Sequence, residues 1–197
     1  MKKDYLLAQI ADAAYDVGFG AKKHFATFDI VEKAPGFIGL ISIGVGIFAL
    51  FVNILATQHI SAVLIIIGIC GLIINSYNEA KQNYEKTGVF LTELFNELKT
   101  LYFHVKSSDK SDFSEEQMQL SEIKTKFFSN CISKQILFSD WFAHYKFFWQ
   151  QQIDWINEQK NFKFWRDKVP LSASVCCLFI VLSAGALIIY YCICNGR

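Results

Sequence analysis

The residues able to do chemistry are scattered along the chain. His24, His59, His104 and His144 stand far apart, and none belongs to an HExxH motif or a Cys/His array that would hold zinc. Five of the six cysteines, Cys70, Cys176, Cys177, Cys192 and Cys194, lie in or beside apolar runs, and Cys131 stands alone. Neither Cys176-Cys177 nor the Cys192 and Cys194 pair has zinc-finger spacing, so all read as small buried hydrophobes. Lipidation of Cys192 or Cys194 is the chemical alternative, and the topology argued below speaks against it. Ser139, Asp140 and His144 are the residue types of an acyl-transfer triad, but no nucleophile elbow or oxyanion signature accompanies them. No Walker loop or dinucleotide fingerprint occurs. Lys146, Lys160, Lys163, Arg166 and Lys168 alternate with Phe147, Trp149, Phe162, Phe164 and Trp165, a mixture that could stack bases and hold phosphates. Beside an apolar run the same residues serve as interface anchors, and that reading is the stronger. The expectation is a non-enzyme with no cofactor, no metal and no direct nucleic-acid partner.

The elements that carry these residues are set by where charge is missing. Of 197 residues, 53% are hydrophobic and only 19% charged, below the usual quarter, and mean hydropathy is +0.28. The net charge of +1 offers no field that would attract a polyanion. No Asp, Glu, Lys or Arg falls between Lys33 and Glu79, or between Lys168 and Arg197. A hydrocarbon core about 30 Å thick takes roughly 20 helical residues. The first gap therefore suits two spans, 36–55 and 60–76, with a tight turn at the polar Ala56-Thr57-Gln58-His59. The run 170–194 suits a third, with Trp165 before it and Tyr190 and Tyr191 near its end as boundary aromatics. A soluble core hairpin is the competing reading, but core helices keep a polar stripe, and these runs are apolar on every side. The two prolines, Pro35 and Pro170, open the apolar runs, where a missing N–H is harmless.

Basic residues choose the orientation. Lys2, Lys3, Lys22, Lys23 and Lys33 precede the hairpin, Lys81 and Lys86 follow it, and its turn has none, which puts both ends in the cytoplasm. Lys160, Lys163, Arg166 and Lys168 crowd the entrance of the third span against Arg197 beyond it. The expected location is the inner (plasma) membrane, multi-pass, with a cytoplasmic N-terminus. The first 33 residues mix both charge signs and lack an apolar h-region, so no cleavable signal peptide is expected.

The expected fold is all-α. Residues 1–34 form a cytoplasmic amphipathic helix with Leu6, Leu7, Ile10, Ala13, Ala14 and Val17 on one side, weakened by Gly18 and Gly20. Residues 35–77 form the transmembrane hairpin, 78–168 a cytoplasmic helical and coiled-coil region, and 170–194 the third transmembrane helix. Within 78–168, Thr87, Leu91, Leu94, Leu98, Leu101 and Val105 recur at four- and three-residue steps. That seam supports self-association or an intramolecular bundle, and Leu91, Leu94, Leu98, Leu101 and Val105 are taken as a candidate oligomer seam. Lys106 to Ser114 is a break, after which Ser114 and Gln117 suggest a capping box opening a helix over 115–137, with Met118, Ile123, Phe127, Cys131 and Ile136 on one face. A last helix, Trp141 to Asp167, would place Phe142, Tyr145, Trp149 and Ile156 together as bundle core. In the spans, Gly39, Ser42, Gly46 and Asn53 in the first, and Gly68, Gly71 and Asn75 in the second, are the candidate helix-packing or pore positions. Glycine lets helices approach, and polar groups in lipid seek partners across them. No ionisable side chain lies within the spans, which disfavours a proton relay.

The segment AYDVGFGAKKHFATFDIVEKAPGFIGLISIGVGIFAL from Ala14 through Leu50 resembles the SLATT family, the SMODS- and SLOG-associating two-transmembrane effector domains. So does the order that follows: a two-span hairpin, then a cytoplasmic helical region beginning SYNEAKQNYEKTGVFLTELFNEL at Ser76. The third apolar run departs from the two-span pattern. The resemblance implies a membrane effector of a prokaryotic anti-phage or conflict system that oligomerises and permeabilises the membrane on a partner's signal. It also implies that the partner is a nucleotide-signal synthase or a reverse-transcriptase module, and no catalytic residues carry over. The alternative is a non-catalytic membrane scaffold that recruits a cytoplasmic partner.

Overall fold

A computed structural model describes the backbone of residues 3–195 and the side chains of residues 3–164 and 166–185. The third-span assignments to Tyr190, Tyr191, Cys192 and Cys194, and that of Trp165 as a boundary ring, lie outside the described side chains. Among the described residues the secondary structure is helical and no strand occurs. The chain divides into two units, residues 1–160 and 161–197.

The first unit is built on one rod. Helix α1 runs unbroken from Lys3 to Ala49, through Gly18, Gly20 and Pro35, so the expected boundary between a 1–34 helix and the first span is absent. The glycines do not weaken it, because each makes room for a ring. A Cβ at Gly18 would lie 2.8 Å from the Phe95 ring and 2.9 Å from Phe147, and one at Gly20 would lie 3.1 Å from Phe127. Helix α1 ends at Ala49, a 3-10 turn spans Asn53–Ala56, and α2 returns over Gln58–Asn75.

Helix α3, Lys81–Ser107, packs antiparallel on the N-terminal part of α1. The register can be read from three contacts. Gly18 faces Phe95, the Phe25 ring lies 3.0 Å from where a Cβ on Gly88 would stand, and Glu32 pairs with Lys81 at 2.6 Å. Each step of seven residues forward on α1 matches seven back on α3, a heptad repeat with glycine and phenylalanine exchanging roles between the helices. Leu91, Leu98 and Val105 are fully buried along this line with Leu6, Ile10, Ala14 and Val17 of α1. Each such large aliphatic contributes roughly 1.5–3 kcal/mol by leaving water.

Helix α4 is Ser114–Asn130, shorter than the 115–137 expected. Its cap is not Ser114: the Ser114 hydroxyl donates to Asp112 Oδ2 at 2.6 Å, and the Asp112 carboxylate accepts at the helix start. Its inner face is Glu116, Leu120 and Ile123, while Met118 is 61% exposed, so the expected apolar face is rotated. Residues 131–138 form an extended strap rather than helix. The expected last helix is also broken, into α5 (Ser139–Tyr145), a π-helical turn (Lys146–Gln150) and α6 (Asp154–Lys160). In the wider turn the adjacent rings of Phe147 and Phe148 are both buried, while Trp149 within it and Tyr145 just before it, both expected in the core, are 60% and 52% exposed. Helix α6 is held to α3 through buried Tyr102, whose hydroxyl donates to Glu158 at 2.9 Å and accepts from Gln159.

The second unit holds a short helix α7, Phe164–Asp167, and the long apolar α8, Leu171–Asn195. Every described side chain from Leu171 to Ala184 except Ala173 is exposed.

Candidate functional site

The hairpin carries no charged side chain between Lys33 and Glu79, and its surface is apolar all round. Phe37, Leu40, Ile43, Phe48, Ile65, Ile66, Ile69 and Leu72 are all exposed, and α2 buries no residue. An apolar exterior running the length of both helices marks a membrane or partner contact rather than the scattered exposed hydrophobics of a soluble monomer. The 18 residues of α2, and the matching end of α1, have the length and composition of membrane-crossing helices. The protein is therefore a membrane protein.

Within one chain the two legs touch sparingly. Gly71 is the close point, with Ile38 side-chain atoms 3.6 and 3.8 Å from where its Cβ would be. Gly39, Gly46 and Gly68 meet nothing within 4 Å, and Ser42, Asn53 and Asn75 make no side-chain hydrogen bond among the described residues. Of the four glycines, Gly71 alone has a neighbour at packing distance.

The second group behaves in the opposite way. Leu91, Leu94, Leu98, Leu101 and Val105 are all buried inside the chain. They do not form an exposed oligomer seam, because α1 and the helices after α3 already cover that face. The four-three spacing records an antiparallel intramolecular pairing, and spacing alone does not tell a helix whether its mate is in the same chain.

Where the body meets the hairpin, a collar of ion pairs closes the last turns before Pro35. Asp29 accepts from Lys33 at 2.7 Å and from Lys146 just after α5, while Lys81 pairs with Glu32. Burial would raise the Asp29 pKa, but hydrogen bonds and charge from Lys146 and Lys33 outweigh it and hold it below the ordinary carboxylate value. Sequence reasoning missed Asp29 and Lys146, which lie 117 residues apart.

The strap is fastened along α1 and α3 by three polar side chains. His24 is buried, with Nδ1–H donating to the Gly20 carbonyl at 2.7 Å and Nε2 accepting from the Ile132 N–H at 3.1 Å. Thr27 donates to Gln135 Oε1 at 2.5 Å, and the Tyr84 hydroxyl donates to the Lys134 carbonyl at 2.6 Å. Burial, and less so the neighbouring Lys23, lowers the His24 pKa, which keeps Nε2 free to accept. Between α3 and α4 lies an open groove of about 1010 Å³ lined by Glu93, Glu97, Glu115, Glu116 and Glu122, against His104, Lys110 and Lys126. Its carboxylates outnumber its bases, which suits a cationic visitor better than a phosphate.

Ser139, Asp140 and His144 do not make a triad. Asp140 pairs with Lys23 at 2.7 Å, the Ser139 hydroxyl is buried without a hydrogen-bond partner, and His144 packs against the Phe148 and Phe19 rings. Among the described residues no three His, Cys, Asp or Glu side chains gather where a metal would sit.

No curated protein and no solved structure matches the chain. A family model does match, over residues 1–177, which take in the whole first unit and the start of α8. A charge-free hairpin continuous with a helical body agrees with that description, and the chain belongs to the SMODS and SLOG-associating 2TM effector domain 6 family, membrane effectors of conflict and defence systems.

Proposed function

We propose that this protein is a non-enzymatic effector that self-associates through its hairpin and permeabilises the inner membrane when a partner acts on its cytoplasmic body. The observation that supports this best is the set of Gly39, Gly46 and Gly68, small and unfilled within the chain, with half-exposed Ser42 between the first two. In lipid, small residues leave room for a second helix to approach, and unspent polar groups gain by pairing across that contact. With the leucine seam consumed inside the chain, self-association falls to the membrane segment. Both ends of the hairpin are cytoplasmic in this reading, following the lysines that flank it.

The signal comes from a partner encoded nearby, a nucleotide-signal synthase or a reverse-transcriptase module, and reaches the body as a protein contact. The acidic groove supports a contact over a bound nucleotide, since five carboxylates would repel phosphate. The test is to express the protein with its genomic neighbours and follow membrane potential during phage challenge. Depolarisation that precedes lysis, and is lost when Gly39, Gly46 and Gly68 are changed to Leu, is the expected result. Protection with the potential intact would refute the proposal.

A further inference from the structure

The strap 131–138 climbs α1 toward the membrane. Ile132 is bonded at His24 and Gln135 at Thr27, so three residues of strap advance three residues of α1 in the direction of Pro35. Lys134 lies with Nζ 4.9 Å from the centre of the Tyr77 ring, two residues beyond the end of α2. The Lys134 side chain thus reaches the mouth of the hairpin from a strap last anchored at Thr27, and after Phe138 the chain enters α5, whose Asp140 pairs with Lys23.

At that turn Ile136 is buried, but Leu137 and Phe138 are 75% and 58% exposed. Phe138 also has φ 68°, the left-handed region that Gly or Asn adopts readily and a bulky side chain rarely does. Its ring meets half-buried Trp141 edge-on at 5.3 Å, a modest contact beside the area it leaves uncovered. A phenylalanine held outward at a strained position gains little from the protein core that would offset the strain. Leu137 and Phe138 together leave an apolar patch that the chain covers little.

From this placement we infer that the Lys134–Phe138 turn is a lipid-contacting wedge: Leu137 and Phe138 enter the headgroup boundary of the bilayer the hairpin crosses, and Lys134 reaches its phosphates. The occupant is lipid because Lys134, at the base of the turn, rests on the Tyr77 ring just past the end of a membrane helix, and because aromatic, aliphatic and lysine side chains are the set that partitions there. The strap then links bilayer depth to the position of α4 and α5. The inference rests on the hairpin lying in a bilayer and not on pore formation, so a protein that never depolarises a cell would still show it.

The test uses the full chain in vesicles of phosphatidylethanolamine and phosphatidylglycerol, with a benzoyl-phenylalanine photoprobe at position 137, at 138, or at exposed Met118 on α4 as reference. After irradiation, lipid adducts at 137 and 138 should exceed those at 118 by at least about five-fold by mass spectrometry, and Lys134→Glu should reduce them. Yields at 137 and 138 no higher than at 118, or adducts to protein alone, overturn the inference. Phe138→Asn separates contact from packing. It should leave the melting temperature in detergent unchanged or raised, and a lower one would make Phe138 a packing residue and overturn the inference as well.

Discussion

Replacing Gly18 by Ala tests the pairing of α1 with α3 more sharply than any core truncation. An alanine Cβ would sit 2.8 Å from two Phe95 ring atoms and 2.9 Å from Phe147, closer than real Cβ contacts come. Both rings are buried, so neither can swing away into solvent. In a helix interior Gly→Ala gains about 1 kcal/mol of propensity. Overpacking of a tight core costs typically about 1–3 kcal/mol. With three sub-3 Å contacts to rigid rings the cost lies toward the upper part of that range, leaving a net destabilisation of about 1 kcal/mol. For a chain of this size that lowers the melting temperature by roughly 2–4 °C. The assay is thermal unfolding in detergent by circular dichroism, with Gly46→Ala as the same change on the same helix where nothing lies within 4 Å. Phe95→Leu should recover part of the Gly18→Ala loss, with a favourable coupling of about 0.5 kcal/mol or more between neighbours of this kind. If Gly18→Ala stabilised as much as Gly46→Ala does, the reciprocal glycine and phenylalanine register would be wrong.

Other consequences follow from the same contacts. Leu98→Ala should destabilise the body by about 2–5 kcal/mol without changing the protein's oligomeric state, since Leu98 is fully buried within one chain; a loss of self-association in the variant would return the seam to an oligomer. The folded-state pKa of His24 lies below the ordinary 6.5, so the stability its neutral form confers is present above that value and falls as pH drops from about 6.5 toward the folded pKa; unfolding titrations between pH 8 and 5 should show this slope, and His24→Gln should flatten it. Asp29→Asn leaves Lys146 half-buried without its carboxylate and should cost about 1.5–3 kcal/mol, and because the Asp29 pKa is lowered, the loss should vanish as pH falls well below 4, checked by urea unfolding at two pH values.

The membrane hairpin is legible in the sequence because its signal is continuous: 45 residues without charge admit few soluble explanations, and their length counts the spans. The spans expected at 36–55 and 60–76 correspond to the end of α1 and to α2, displaced by a few residues where the 3-10 turn at Asn53–Ala56 cuts the first short. The leucine seam is legible as a buried face, but its partner is not, because an antiparallel mate some 50 to 105 residues away in the chain leaves no mark on local spacing. Gly18 and Gly20 mislead for the same reason. A glycine inside a helical pattern reads as weakness until the ring that needs its missing side chain is known. The aromatic helix fails through phase: the π turn at Lys146–Gln150 inserts a residue that a 3.6-residue period cannot foresee, and within it Phe147 and Phe148 face in while Trp149 faces out.

The continuity of α1 bears on how a body and a hairpin could act as one device. Helices that end at a membrane face are commonly joined by loops, which absorb displacement. Here 32 residues of body and the first membrane leg share one helix, so a shift of α3 or α4 against α1 reaches the leg across a single turn of weakened hydrogen bonding rather than across a loop. The rod has one weak turn. Pro35 has no N–H to give the Val31 carbonyl, and a helix bends most easily where that bond is missing. The ion pairs of Asp29 and Glu32 bind α1 to α3 and to Lys146 just on the body side of that turn. Loosening them would move the bending point into the body, and tightening them would confine it to the bilayer boundary. Removing the Lys81 or Lys146 charge is therefore expected to loosen α1 on the body side of its weakest turn.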